Sequence, residues 1–131
     1  MKSATFFAIC FIAFISTQLS AQKTNVWKGG APGHENDWHY AKNWSLGATP
    51  EVFDLVTIPD VSTTTNRYPI VYTGQIEVES LEIQPGASLT LYRSAGIVTN
   101  NFVDKGNCTG CDMRVRLEGS LKSAGTATAS H

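Results

Sequence analysis

Short segments of alternating apolar and polar residues dominate the chain from Gln75 onward, and they constrain its fold more than any other feature. Single glycines, a proline-glycine pair and other small residues separate these segments, and no convincing helix follows residue 45. Strands with one solvated face alternate in this way, so the sequence predicts an all-β fold. Four segments carry the pattern: residues 76–78, 80–83, 88–91 and 113–117.

Two all-β architectures compete. An antiparallel β-sandwich, the alternative, expects hairpin turns such as Asn-Gly or Asp-Gly, and neither dipeptide occurs. A short right-handed parallel β-solenoid instead turns corners on small residues, which fits the phase slip at Glu79 and Ser80 and the Pro85-Gly86 turn. Residues 81–83 and 89–91 are separated as consecutive sides of one coil would be. We therefore predict two or three stacked coils between residues 76 and 122.

Residues 1–21 have the pattern of a secretory signal peptide. Lys2 is followed by an apolar run over residues 6–15, and Ala21 supplies a small residue for cleavage. The run is too short to span a bilayer, which takes about 20 apolar residues. We therefore expect a secreted protein, extracellular or at the cell surface, with no membrane insertion once the signal is removed.

The remaining chain, residues 22–131, is predicted to form one β domain. We divide it into a cap region (22–72), solenoid coils (73–122) and a frayed tail (123–131). Within the cap region, the sequence predicts strands at residues 26–28, 55–58 and 67–72, and a helical turn at 40–42. The net charge of −1 gives no electrostatic reason to expect nucleic acid as a partner. No cofactor is predicted.

All three tryptophans of the protein lie between Trp27 and Trp44. A solenoid end exposes apolar surface and must be covered, so the tryptophans are predicted to plug the apolar end of the core. The alternative is a surface that stacks on sugars through Trp27, Trp38, Tyr40 and Trp44. Three polar residues are assigned structural roles in the loops of this region: Asp37, which could also cap the helical turn, Asn43 and Asp54.

The Cys108-Thr109-Gly110-Cys111 motif sits in a turn rich in glycine and asparagine. Redox enzymes place such a motif at the start of a helix, and no helix is predicted after it. Zinc would need two more ligands, for which only His34 and His39 are available. We expect a local disulfide between Cys108 and Cys111 that pins a loop between two coils, with two free thiols as the second choice.

The sequence contains carboxylates but no convincing catalytic pattern. Glu77, Glu79 and Glu82 lie on or near one outer strand face, where alternating glutamates usually form the solvated side of a sheet. His34 and His39 are five residues apart rather than the four of a zinc-protease helix. We predict no metal site and no enzyme.

One combination of residues in the cap region is distinctive: Trp27, Gly29-Gly30, Asp37-Trp38, Ala41, Asn43-Trp44-Ser45, Gly47, Pro50, Asp54, Val56, Ile58-Pro59 and Tyr68-Pro69. These residues resemble the N-terminal module of many bacterial surface proteins exported by the type IX secretion system. Residues 80–83 and 86–90 are similar to the first coil of the right-handed parallel β-solenoid that follows in that family. The resemblance covers residues 26–122, although this sequence ends after a few coils and lacks a recognisable C-terminal sorting domain.

This resemblance implies a secreted or surface-displayed scaffold without established catalytic residues. The expected function is therefore a structural, adhesion-like module that assembles through the open last coil near residues 117–121. Its expected partner is a second copy or another surface protein. The alternative function is a carbohydrate-binding module, with a polysaccharide held by exposed tryptophans.

Overall fold

The computed structural model of the protein describes residues 22–118, which form a single six-stranded sheet wound into a solenoid. A 3-10 turn covers Ala41–Asn43, and one short helix, α1, covers Cys111–Arg114. The strands are β1 (Thr24–Val26), β2 (Leu55–Ile58), β3 (Ile70–Ile83), β4 (Ser88–Asp104), β5 (Asn107–Thr109) and β6 (Val115–Leu117).

Every ladder between these strands is parallel. The strands pair in the order β1-β2-β3-β4, and both β5 and β6 pair with β4. Ile70 lies beside Thr90 and Ser80 beside Asn101, so one turn takes roughly 20 residues, at the short end of known repeats. The predicted parallel β-solenoid, with about three turns, is confirmed, and the alternative antiparallel sandwich is wrong.

The two long strands bend around corners of the solenoid. The register between β3 and β4 shifts between Val71 and Thr73. Pairing is also interrupted at Glu79, between Val78 and Ser80, with the same register on both sides. The second position is the phase slip read from the sequence, where alternation changes face because the chain turns. A turn at Pro85 and Gly86 then leads from β3 into β4.

The core consists of columns in which one apolar residue of each turn lies on the next. Ile76, Ile97 and Val115 form one column, because Ile97 is in register with both of the others. Val56, Leu81 and Phe102 form another. Burying such a side chain contributes about 1.5–3 kcal/mol, so each turn depends on its neighbour for stability.

Several predicted elements differ from the structure. The first strand begins at Thr24, two residues before its predicted start, and the predicted strand over 113–117 begins with α1 and becomes extended only at Val115. Strands β1 and β2, which we assigned to the cap, join the same sheet as the coils. The predicted signal peptide, residues 119–122 of the predicted coils and the tail lie outside the described residues.

Candidate functional site

The three tryptophans form one buried cluster over the first turn. Their side chains are at most 1% exposed. The rings of Trp27 and Trp38 each meet Trp44 edge to face, with centroids 5.1 and 4.8 Å apart, a favoured aromatic geometry. The indole N–H of Trp44 donates to the Trp38 carbonyl and that of Trp27 to the Arg67 carbonyl, both at 2.8 Å.

Asn43 holds the loop around this cluster together. Its side chain is fully buried, and its Oδ1 accepts the Ala31 N–H at 2.9 Å. Its Nδ2 donates to the carbonyls of His34 and Asp37 at 2.7 and 3.0 Å. One amide therefore satisfies three backbone groups, which explains why this polar side chain can lie in the interior.

The other polar residues predicted for this region also contact loop backbone. Asp37 accepts the His39 N–H through Oδ1 at 2.9 Å, and it does not cap the 3-10 turn, which starts after Tyr40 without a side-chain cap. Asp54 accepts the Glu51 N–H at 2.9 Å. The capping role suggested for Asp37 is therefore wrong, because its carboxylate closes a turn onto its own loop.

Burial of the tryptophans leaves no ring face on which a sugar could stack. A ring can hold a sugar only through an accessible face, and Trp27, Trp38 and Trp44 have none. Tyr40 has one face covered as well, because it stacks on His34 with centroids 3.9 Å apart. The interpretation of the indoles as core is the one that fits.

The outer edge of β1 is closed by the same loop. Ser45 accepts the Val26 N–H through its Oγ at 2.9 Å and returns its own N–H to the Val26 carbonyl at 2.8 Å. Buried Asn25 adds bonds to the Ala48 carbonyl and the Leu46 N–H. The outward N–H and carbonyl of Val26 are thereby satisfied within the chain, which leaves less of this edge free to pair with another strand.

The last described turn is built differently. Strands β5 and β6 pair with β4, and within residues 22–118 they have no second strand beside them. Cys108 at the middle of β5 and Cys111 at the start of α1 are paired at disulfide distance, with Cα atoms 5.7 Å apart. The expected local pairing of these cysteines is supported, but it joins two parts of one turn, and a short helix does follow the motif.

Two of the three glutamates lie at one depression, and the third lies elsewhere. Glu79 accepts the Asn100 amide, and it lines a depression of about 110 Å³ with Glu77 and residues of the next turn. Glu82 lies elsewhere and pairs with Lys105 at 3.5 Å. Ligand pockets usually measure about 300–1,000 Å³, so this depression is small for a substrate site.

The two histidines considered as zinc ligands are engaged separately. His34 stacks on Tyr40, and His39 Nε2 lies 3.2 Å from the Thr73 carbonyl. Among residues 22–118, no three His, Cys, Asp or Glu side chains are grouped to hold a metal ion. A second depression, of about 500 Å³, lies within the cap region between Lys28, Lys42 and Leu46.

Asp60 and Tyr68 form the main perturbed pair of titratable groups. The Ser62 backbone N–H donates to Asp60 at 2.9 Å, and this bond, aided by hydrogen bonds from the Ser62 and Tyr68 side chains, lowers the Asp60 pKa. Burial, followed by the bond to Asp60, raises the pKa of Tyr68. The bond between Asp60 and Tyr68 closes the loop that carries Arg67. Because the Arg67 carbonyl accepts the Trp27 indole N–H, the role of the pair is structural.

Two exposed tyrosines were missed by the sequence reasoning. Tyr72 and Tyr92 lie on successive turns, with ring centroids 4.9 Å apart. Their separation in sequence, about 20 residues, matches one turn of the solenoid and was the signal that could have revealed the pair.

Comparisons with protein-family models, with curated proteins and with solved structures found no match to this chain. Within the part of the chain that is described, none of the helices has the length and apolar character needed to cross a membrane.

Proposed function

We propose that the protein is a secreted, non-enzymatic structural module that assembles through the last turn of its solenoid. The observation that carries this proposal is the difference between the ends of the sheet: Ser45 satisfies the outward N–H and carbonyl of Val26 in β1, whereas β5 and β6 pair on one side within residues 22–118. Secretion is supported by the signal-like residues 1–21 and agrees with a cysteine pair at disulfide distance.

The backbone of the last turn has groups directed away from the sheet. The N–H of Glu118 donates to Thr99, and that of Asn107 to Ala87. Successive N–H groups of a strand point to opposite sides. Those of Leu117 and Cys108 therefore point away from β4, where a further strand would accept them.

The side chains at this end also favour association. Val115 continues the column of Ile76 and Ile97, and both Val115 and Leu117 are only half-buried. A further layer of apolar side chains would complete their burial, as each turn does for the turn before it.

The proposed partner is a second copy of this chain, joined end to end. A two-fold axis would bring the same last turns together, and their edge strands would run antiparallel. A two-fold interface uses the last turn of both copies, and the opposite end of each copy is covered by the cap, so no surface of this kind is left to add a third copy. The expected assembly is a dimer rather than a fibre.

The test is Leu117→Lys, with Arg116→Ala on the exposed side of the same strand as the matched control. Lysine at position 117 places a charge where two cores would meet, yet its stem can reach solvent in a single copy. Sedimentation velocity should give a concentration-dependent dimer for the wild type and Arg116→Ala, and a folded monomer for Leu117→Lys. A wild type that stays monomeric across the concentration range would refute the proposal.

A further inference from the structure

We infer that the corner formed by Tyr72 and Tyr92 binds an acidic polysaccharide. The two rings are 44% and 48% exposed, although the fold buries its tryptophans completely. The rings meet edge to face, with centroids 4.9 Å apart and planes at 76°. Exposed aromatic rings keep an apolar surface available to a ligand that carries both CH and polar groups, as sugars do.

The solenoid arranges these rings as a column. Val71 and Leu91 are in register and point into the core, and the tyrosines that follow them project from the same corner of successive turns. Neighbouring strands are about 4.8 Å apart, so the column runs along the solenoid axis. A linear polymer could lie along it and contact both rings.

Two arginines extend this corner. Arg93 follows Tyr92 and is exposed, whereas Arg114 reaches back from α1. Arg114 donates from Nε to the Arg93 carbonyl and from Nη1 to the Gly110 carbonyl, both at 3.4 Å. These bonds hold the Arg114 guanidinium against the backbone of Arg93, the residue that follows Tyr92.

The charge at this corner favours an anion. The ion pairs seen among the described residues involve neither Arg93 nor Arg114. Asp112 on α1 is exposed and is the acidic residue next to the arginines in sequence, which leaves an excess of positive charge. Guanidinium groups bind carboxylates and sulfates with paired hydrogen bonds, so an acidic sugar polymer would use both rings and charges.

Affinity electrophoresis of the full chain at neutral pH tests this site. The gels would contain polygalacturonate, dextran sulfate or neutral dextran, so the first two distinguish a carboxylate ligand from a sulfate ligand. The wild type should be retarded by at least one acidic polymer and not by dextran. The double variant Tyr72→Leu/Tyr92→Leu, which keeps apolar bulk but loses the ring faces, should bind roughly tenfold more weakly.

Arg93→Gln should also weaken binding, by roughly fivefold, because it removes one cation. Two controls separate the corner from other surfaces: Phe53→Leu, an exposed ring outside this column, and Lys28→Gln/Lys42→Gln within the cap region. Both controls should bind as the wild type does, and circular dichroism should show that every variant is folded.

Three results would overturn the inference. They are absence of retardation by either acidic polymer, binding that the tyrosine variant leaves unchanged, and binding that disappears with the lysines instead. Equal retardation by neutral dextran would refute the assignment of an acidic ligand. None of these results depends on dimer formation, so the site and the proposed assembly are tested separately.

Discussion

The sheet of the described solenoid has an edge at each end, and the outward backbone groups of the two edges are in different environments. At the first turn, Val26 turns an N–H and a carbonyl outward, and Ser45 satisfies both. At the last turn, Leu117 turns its N–H outward, and within residues 22–118 no group accepts it. A sheet edge with free backbone groups invites pairing. The two edges therefore differ in how far their outward backbone groups are satisfied within residues 22–118, and the second is the edge through which we propose that the protein assembles.

The largest expected effect comes from removing a tryptophan of the closed end. Trp44→Ala leaves a cavity between Trp27 and Trp38, and it should lower the free energy of unfolding by about 3–5 kcal/mol. Leu46→Ala, on an exposed side chain of the same loop, should cost less than about 0.5 kcal/mol. Urea denaturation measures both, and equal effects would contradict the closed end described above.

A glycine pair compares the two ends directly. Gly110, at the start of α1, has a φ of +85°, and a Cβ there would collide with the Leu91 carbonyl oxygen. Gly33 in the cap has a φ of +82° with no atom near its added Cβ. Gly110→Ala should destabilise by about 3 kcal/mol and Gly33→Ala by about 1 kcal/mol. Similar losses of stability would mean that the last turn does not pack closely on β4.

The cysteine pair should matter only at the last turn. Replacing Cys108 and Cys111 together by serine removes a short cross-link, which should cost about 2 kcal/mol. Amide exchange should become faster in β5 and α1, while the amides of β1 and the cap keep their protection. The matched comparison is the wild type under reducing conditions, which should behave like the double variant. Loosening of the cap in either sample would show that the ends are not independent.

The smallest expected effect is a dependence on pH at the closed end. The lowered pKa of Asp60 means that its contribution to stability is present above the unfolded value of 3.8 and is lost as the pH falls through the folded pKa. Asp60→Asn should therefore make unfolding less sensitive to acid below pH 3.8. Asp112→Asn removes a carboxylate from the last turn and is the control. If Asp60→Asn left the loss of stability at acid pH unchanged, this role of Asp60 would be contradicted.

Some of this molecule follows from its sequence. The change of phase at Glu79 and Ser80 located a corner, because alternation reports which face a side chain occupies. Strand β2 matched its predicted bounds, since β-branched residues end at Pro59. Helix α1 was missed because four helical residues merge into an alternating run, and such a short helix has no period of its own.

The surface of the molecule was harder to predict. Three clustered tryptophans indicate either a core or a binding face, and only the loop held by Asn43 decides that they are buried. Tyr72 and Tyr92 meet because the turn length brings them to one corner. Composition does not give the number of residues in a turn. A turn longer or shorter by one residue would move the two tyrosines out of contact.

The most direct test of the difference between the ends is amide exchange measured at several protein concentrations. The Val26 amide should be protected equally at every concentration, because the Ser45 hydroxyl accepts its hydrogen bond. The Leu117 and Cys108 amides should exchange quickly in dilute protein and become protected as the concentration rises. Protection of these two amides that is independent of concentration would assign their acceptors to the chain itself, and it would contradict assembly through the last turn.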